Sequence, residues 1–122
     1  MIVNVCFGTN DLVRGAKFYD AIAAELGLER YMDTGKAIGW RNPAVGIGFA
    51  ITLPFDGKPA SVGNGVMATI GAANRDQVDK VHALALANGG SDEGPPGVRA
   101  NGFYAAYFRD PDGNKLNIFA MA

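Results

Sequence analysis

The feature that most constrains the fold of this chain is an internal repeat. Ile2–Phe7 is a short run of β-branched and apolar residues closed by Gly8, and Val66–Ile70 is a similar run closed by Gly71, half a chain length further on. Each run is followed by a pattern typical of an amphipathic helix. Self-similarity at this spacing indicates a structural unit that occurs twice. The sequence therefore predicts two copies of one supersecondary unit in 122 residues.

Both predicted helices have recognisable ends. Residues 9–11 can cap the first helix by accepting its free N–H groups, and Gly27 stands where a helix stop belongs. In the second copy, Asn74 is followed three residues later by Gln77, a spacing similar to a capping box. The apolar residues that share a helical face are Leu12, Ala16, Tyr19, Ile22, Ala23 and Leu26 in the first copy, and Val78, Val81, Leu84 and Ala85 in the second. We expect a first helix over about residues 11–26 and a second that ends at Asn88–Gly90.

Three strands are predicted after each helix. In the first copy they are Leu28–Met32, Lys36–Arg41 and Ile47–Leu53. In the second they are a weak strand at Ser91–Glu93 and, after the loop Gly94–Gly97, a terminal hairpin of Phe103–Phe108 and Leu116–Phe119. A loop so rich in glycine and proline often borders a pocket, although it is also typical of a rigid surface turn. The chain is thus predicted to be one α+β domain, residues 1–122, with a βαβββ module over about 1–53, a surface connection over about 54–64 and a second module over about 65–122.

The polar stretch 109–115 between the two hairpin strands reads as a turn. Pro111 presets φ for the first corner, and Gly113 supplies the residue of positive φ that leads into the returning strand. Asp110 can accept backbone N–H bonds across the turn. The chain is therefore expected to end in a β-hairpin.

Composition excludes several classes of protein. The formal net charge of −1 and the pI near 5.7 argue against a nucleic-acid partner, which requires a clustered basic face. There is no long apolar run and no signal-like amino terminus, so neither a membrane nor a secretory role is expected. The single cysteine, Cys6, cannot form an internal disulfide, which fits a reducing compartment. We expect a cytoplasmic protein.

Four features in this order resemble the vicinal oxygen chelate superfamily, which includes glyoxalase I, extradiol dioxygenases and bleomycin-resistance proteins. They are the repeat itself, the junction Gly8–Leu12 followed by Phe18 and Tyr19, the helix end Gly89–Gly90, and the turn Asp110–Asn114. The resemblance covers essentially the whole chain. It implies two βαβββ modules that form a curved eight-stranded mixed sheet around a cavity, with the helices on the outside, commonly as a homodimer.

The resemblance also implies where a divalent metal would be held, usually by His on the first strand of each module and by Glu on the last. Those positions match Asn4, Met67 and Asn117 here, and the fourth strand, Ile47–Leu53, contains no His, Asp or Glu. Neutral amides and a thioether are poor ligands for zinc, iron or nickel. We therefore expect neither a metal nor another cofactor. The only histidine, His82, falls within the second helix and is expected at its boundary between core and solvent.

Strand alternation predicts which side chains line the cavity. Asn4 and Cys6 share one face, and Val3, Val5 and Phe7 share the face that turns toward the helix. The same alternation points a second set into the cavity: Met67, Thr69, Lys115, Asn117 and Phe119. Further walls are expected from Trp40, Arg41, Phe49, Tyr104 and Tyr107. Such a pocket, apolar with a few neutral polar groups, suits a small organic molecule, whereas the plain alternative is a filled core without a pocket.

The single cysteine and three of the arginines are expected to serve in packing or to lie at the surface, without a role in chemistry. Cys6 needs a neighbouring base to act as a nucleophile, and none is evident, so we expect it to serve in packing. Arg41, Arg99 and Arg109 suit a carboxylate or phosphate but are expected at the solvated surface, with Arg109 bracing the turn at Asp110 or Asp112.

Three functional hypotheses remain at this point. The first is a small-molecule-binding protein similar to the bleomycin-resistance branch, without a catalytic metal. The second is a glyoxalase-like lyase or a dioxygenase whose metal ligands lie elsewhere, for example across a homodimer. The third is a structural or regulatory dimer, which would have no closed pocket. Exposed strand edges of a βαβββ module favour a homodimer in each case.

Overall fold

The computed structural model describes residues 1–121, and this part of the chain contains two helices and eight strands. Their order is β1 Asn4–Gly8, α1 Leu12–Leu26, β2 Glu29–Asp33, β3 Ala37–Arg41, β4 Gly48–Thr52, β5 Ala68–Gly71, α2 Arg75–Ala87, β6 Ser91–Val98, β7 Tyr104–Arg109 and β8 Lys115–Ala120. The element order β-α-β-β-β occurs twice, so the predicted α+β fold of two βαβββ modules is confirmed.

The strands form two four-stranded mixed sheets, in the orders β1-β4-β3-β2 and β5-β8-β7-β6. The first strand of each module pairs with its fourth strand in parallel, and the other neighbours are antiparallel. Within residues 1–121 no strand of one sheet is hydrogen-bonded to a strand of the other. The eight strands are therefore not closed into one sheet, and β1 and β5 each keep one unpaired edge.

Both helices begin and end where the sequence indicates. Asp11 caps α1 by accepting a bond from the Arg14 amide, and the left-handed Gly27 ends it. Asn74 caps α2 through the Gln77 amide, and the Gln77 side chain bonds back to the amide of Ala73. None of the helices among residues 1–121 is long and apolar enough to cross a membrane.

The core lies between the helices and the sheets. Helix α1 packs against β2, β3 and β4, α2 packs against β6, β7 and β8, and the two helices contact each other. Large side chains fill this layer: Phe18, Tyr19, Ile22, Trp40, Ile51, Val78, Val81, Phe108, Leu116 and Ile118, each at most 1% exposed. The rings of Phe18 and Phe108 lie 6.1 Å apart and connect the modules. Burial of this apolar surface is the main stabilising contribution.

The prediction of a loop at Gly94–Gly97 is wrong. This segment belongs to β6, which continues to Val98 and pairs with β7 through two register shifts. Pro95 and Pro96 are tolerated because β6 is an edge strand and because the irregular pairing does not need their missing N–H groups.

The hairpin turn between β7 and β8 is confirmed, and Asp110 organises it. The Asp110 carboxylate is 4% exposed and accepts bonds from the amides of Asp112 and Asn114, from the Asn114 side chain and from the Tyr19 hydroxyl. Gly113 has the expected positive φ, 94°. Burial raises the pKa of Asp110, while these bonds act in the opposite direction. The same burial, together with the nearby carboxylate, raises the pKa of Tyr19, so the phenol remains a donor.

The turn also joins the two modules. The Asp112 carboxylate accepts bonds from the Thr9 hydroxyl at 2.6 Å, from the Asn10 amide at 2.9 Å and from the Arg14 guanidinium at 2.7 Å. Asn114 donates its side-chain N–H to the carbonyl oxygen of Gly8. The β1–α1 junction of the first module is thus held by the last turn of the second. We call this set of bonds the turn clamp.

Replacement of Asp112 by Asn tests the turn clamp. We expect Asp112→Asn to lower the free energy of unfolding by roughly 2 kcal/mol, because hydrogen bonds to a charged group contribute about 1.5–3 kcal/mol and the Arg14 partner loses its counter-charge. Urea denaturation followed by circular dichroism measures the change. The matched control is Asp56→Asn, an exposed turn aspartate that accepts only the Lys58 amide, with an expected cost below about 0.5 kcal/mol. Equal effects of the two changes would contradict a linking role for Asp112.

Candidate functional site

Each sheet has one face against a helix and one face turned away from it, which we call the outer face. In the second sheet Ala68 pairs with Leu116, which is buried in the core, and Thr69 pairs with Asn117. Because successive side chains alternate, Thr69 and Asn117 lie on the outer face. Tyr107 of β7 is opposite Asn117 and shares that face.

The outer face of the first sheet carries Asn4 and Cys6, since Phe7 between Cys6 and Gly8 is buried in the core. Further across the sheet the Tyr31 ring covers Gly39, where an added Cβ would lie 2.7 Å from the ring. The Arg41 guanidinium carbon lies 4.5 Å from the centroid of the Tyr31 ring. This face is open to solvent at Asn4, Cys6 and Arg41.

A groove of about 800 Å³ lies between the edge strands β1 and β5. Its walls are mainly apolar, and the polar side chains among them are Asn4, Asn42, Thr69 and Gln77. The apolar walls include Val3, Val5, Phe7, Leu26, Leu28, Ile47, Phe49, Met67, Ile70 and Leu116. No charged side chain lines the groove. This lining has the composition of a site for an organic small molecule.

A second cavity of about 420 Å³ lies beside the start of β8. Residues 62–67 form one side, and Arg109 and Lys115 supply its only ionisable side chains. We call this cavity the basic pocket. Met67 lines both the basic pocket and the groove, so the two cavities adjoin at this side chain.

The structure divides the predicted cavity residues into three groups. Asn4, Phe49, Met67 and Thr69 line the groove. Tyr107, Asn117 and Phe119 lie on the outer face of the second sheet, and Cys6 and Arg41 on that of the first. Trp40 and Tyr104 lie on the helix side: Trp40 is 1% exposed and donates its indole N–H to Asp20, and the Tyr104 hydroxyl donates to Asp79 of α2. Trp40 is therefore part of the core and not a cavity wall.

Cys6 is exposed, so the expectation that it serves in packing is wrong. Partial desolvation nevertheless raises the pKa of its thiol, which keeps it protonated at neutral pH. No base is hydrogen-bonded to its sulfur within residues 1–121. Cys6 is thus not arranged as an activated nucleophile.

Two further groups that could serve in acid–base chemistry, His82 and Asp20, are engaged in contacts that hold the fold together. His82 is buried on α2, and its Nε2 lies 2.8 Å from an Asp92 oxygen on β6, which lowers the pKa of that carboxyl. Asp20 binds Arg30 and the Trp40 indole, and Arg30 lowers the pKa of Asp20. Neither pair lines the groove or the basic pocket.

The residues at the expected metal positions do not fit a metal. Asn4 and Met67 line the groove from β1 and from the residue before β5, while Asn117 lies one strand further in, beside Thr69. Two neutral amides and a thioether lack the anionic or imidazole donors of such centres. In the described part of the chain no three His, Cys, Asp or Glu side chains are grouped as ligands.

Sequence reasoning missed the contribution of the connection between the modules. Residues 62–64 belong to the predicted surface connection, yet they form part of the basic pocket. Gln77, which the sequence predicts as a capping residue, also lines the groove. Arg109 braces the turn through the Gly113 carbonyl, not through Asp110 or Asp112, and it also pairs with Glu93. The sequence signal for the pocket wall at 62–64 is the pair of glycines at 63 and 65, because glycine permits the backbone conformations of a tight loop.

Comparison with known protein families identifies the class to which the chain belongs. The family description Glyoxalase/Bleomycin resistance protein/Dioxygenase superfamily matches residues 2–118. The chain therefore belongs to this superfamily, as the sequence motifs indicate. No curated protein matches the chain.

Solved structures agree with this assignment. A glyoxalase/bleomycin resistance protein from Albidiferax ferrireducens T118 is 40% identical with a TM-score of 0.90, and the match covers 100% of this chain and 99% of that chain. A hypothetical protein from S. aureus is 24% identical, with a TM-score of 0.75 and coverage of 98% and 91%. A lactoylglutathione lyase from Agrobacterium tumefaciens is 21% identical, with a TM-score of 0.69 and coverage of 98% and 92%. The last two are similar in fold alone.

Restoration of donor residues tests whether the three family positions converge. We expect the triple variant Asn4→His, Met67→His and Asn117→Glu to bind zinc at least about a hundredfold more tightly than the parent, because three such donors are the minimum of an open site and each tenfold corresponds to about 1.4 kcal/mol. Isothermal titration with zinc measures the affinities.

The control carries Asn4→Gln, Met67→Leu and Asn117→Gln, which change the same positions without adding donors. It should bind zinc as weakly as the parent. Equal weak binding by all three proteins would mean that these side chains do not meet and that the correspondence with the family's ligand positions is wrong.

Proposed function

We propose that this protein binds an organic small molecule in the groove between β1 and β5 and that it does so without a catalytic metal. The observation that supports this most strongly is the lining of the groove, which is apolar with only neutral polar side chains. Its volume of about 800 Å³ is within the range of ligand sites. The amides of Asn4 and Asn42 and the Thr69 hydroxyl would orient a ligand, and the apolar walls would supply most of its binding free energy.

The donor set argues against metal-assisted chemistry in this groove. Asn4 and Met67 occupy the positions where the family usually holds its metal, and neither is a suitable ligand. None of the side chains within residues 1–121 that line the groove is a general acid or base. Binding rather than turnover is the activity that this lining favours.

We propose further that the protein is a homodimer. The edges of β1 and β5 are unpaired, and apolar side chains beside them are exposed. These are Ile2, Val3, Val5, Val45, Ile47, Val66 and Met67, and all but Val66 also line the groove, so the proposed interface borders the ligand site. Exposed apolar patches beside free strand edges commonly mark protein interfaces. A cytoplasmic location is also proposed, because the only cysteine is an exposed free thiol.

A bulky substitution that fills part of the groove tests whether the groove is the ligand site. We expect the neutral dye Nile red to bind to the parent with equal affinity in the presence and absence of a chelator. Thr69→Phe should weaken this binding by about tenfold, because the larger ring occupies the apolar volume and tenfold corresponds to about 1.4 kcal/mol. Fluorescence titration measures both. The control Val13→Phe adds the same ring to an exposed position of α1 outside the groove and should leave dye binding unchanged.

Elemental analysis of protein purified without chelator accompanies this experiment. Stoichiometric zinc, nickel or iron, or dye binding that chelator abolishes, would contradict the proposal and favour a metal-dependent lyase or dioxygenase. Dye binding that Thr69→Phe leaves intact would place the ligand elsewhere.

The oligomeric state is a separate prediction. We expect a dimer at micromolar concentration by sedimentation, and we expect Val3→Lys to shift it toward monomer, since a charge would be buried beside the β1 edge. Val13→Lys, on the exposed face of α1, is the matched control and should leave the mass unchanged. A monomeric parent would contradict the prediction.

A further inference from the structure

The outer face of the second sheet carries an excess of positive charge near the hairpin turn. Three cations are found there, Arg99, Arg109 and Lys115, and one acid, Glu93. Glu93 is paired with Arg109, which also donates to the Gly113 carbonyl. The charge of Arg109 is therefore largely compensated, whereas those of Arg99 and Lys115 are not.

Lys115 is the least engaged of these cations. It makes no ion pair with any residue in 1–121, and its ammonium nitrogen lies 5.7 Å from the centroid of the Tyr107 ring. The guanidinium carbon of Arg99 lies 5.5 Å from the same ring. A cation over an aromatic ring is attracted by its π face but keeps its N–H donors available. Lys115 is thus a positioned charge with free donors at the wall of the basic pocket.

The opposite wall of the basic pocket adds neutral donors. Residues 62–67 form this wall, and the backbone amides of Gly63, Asn64 and Gly65 have no acceptor among residues 1–121. Gly65 has a φ of 93°, a conformation that a side chain would disfavour. Peptide N–H groups that have no protein acceptor remain available to hydrogen-bond an anion near Lys115.

The basic pocket adjoins the uncharged groove at Met67. Thr69 pairs with Asn117, so Met67 and Lys115 occupy the matching positions two residues earlier on the same outer face. A methionine side chain is flexible and can accommodate a ligand that passes it. The basic pocket can therefore hold the charged group of a ligand, and the groove can hold its apolar part.

We propose that the ligand is an amphipathic organic anion, whose carboxylate or phosphate is held in the basic pocket by Lys115 and the 63–65 amides while its apolar part lies in the groove. This inference rests on the proposed function and specifies its ligand class. Arg109 also lines the pocket, with its charge largely compensated by Glu93, and the Tyr107 ring, 5.7 Å from the Lys115 ammonium, positions that cation.

The test compares probes that share a chain and differ in charge. Isothermal titration is carried out with octanoate, octyl phosphate and octan-1-ol. We expect both anions to bind at least about tenfold more tightly than the alcohol, because hydrogen bonds to charged groups exceed those to neutral groups by a margin of this size. Increasing salt should weaken binding of the anions but not of octan-1-ol. The order of the two anions distinguishes a carboxylate ligand from a phosphate ligand.

The variant Lys115→Gln should reduce the affinity for both anions to about that for octan-1-ol, and its unchanged affinity for octan-1-ol shows that it is folded. Lys115→Arg should retain most of the preference for anions. The matched control Lys36→Gln, in the turn before β3, should behave as the parent.

Three outcomes would overturn the inference. If parent protein binds octanoate, octyl phosphate and octan-1-ol equally, the ligand site has no anion preference, although the proposed function stands. If Lys115→Gln keeps the preference, the basic pocket is not its origin. If none of the three probes binds, the proposed function fails together with the inference.

Discussion

The carboxylate of Asp112 and its neighbour Asp110 hold this structure together at the point where its two modules meet. Asp110 is buried and shapes the last turn, while Asp112, whose side chain is also nearly buried, binds the β1–α1 junction through Thr9, Asn10 and Arg14. Buried carboxylates are costly unless hydrogen bonds replace the lost water, and here each oxygen is supplied with donors. Because those donors come from opposite ends of the chain, the turn forms fully only when both modules are folded. The buried charge is stable only in the arrangement that supplies these donors. This requirement specifies how the two modules are placed.

This placement explains why the protein has a groove. The modules are joined through their helices and the turn clamp, and no strand of one sheet pairs with a strand of the other within the described residues. The unpaired edges of β1 and β5 therefore remain apart, and the apolar side chains beside them line an open space instead of a filled core. A continuous sheet across the junction would have removed this space. The groove exists because the two modules are linked through their helices and the turn clamp and not through paired strands.

The sequence predicts the local structure and the alternation of side chains between the two faces of a strand. Helix caps at Asp11 and Asn74, the turn at 110–114 and the family motifs are local signals, and they led to the correct elements and fold class. The predictions that fail concern features that depend on residues far apart in the sequence. Pro95 and Pro96 indicated a loop because the propensities of single residues do not reveal an irregular edge strand. Trp40 was assigned to the cavity because the parity of β3 depends on a core that only the folded chain defines. Residues 62–64 gained their role as a pocket wall from strands in the second module.

The positions that the family resemblance assigns to metal ligands, Asn4, Met67 and Asn117, carry no anionic or imidazole donor, and we propose that this changes what the cavity can do. A metal would orient a ligand by coordination and polarise it, and it would require anionic or imidazole donors at 4, 67 and 117. Amide and thioether side chains at those positions leave a space that is neutral and apolar, so orientation must come from fixed hydrogen-bond donors and from charge nearby. Within residues 1–121 Arg109 and Lys115 line the basic pocket that adjoins the groove, and Glu93 compensates the charge of Arg109. Lys115 has no ion-pair partner among residues 1–121, so no neighbouring carboxylate compensates its charge. Under the proposed function, selectivity is therefore expected to depend on Lys115, where the groove and the basic pocket adjoin, more than on the residues at the positions that the family resemblance assigns to metal ligands.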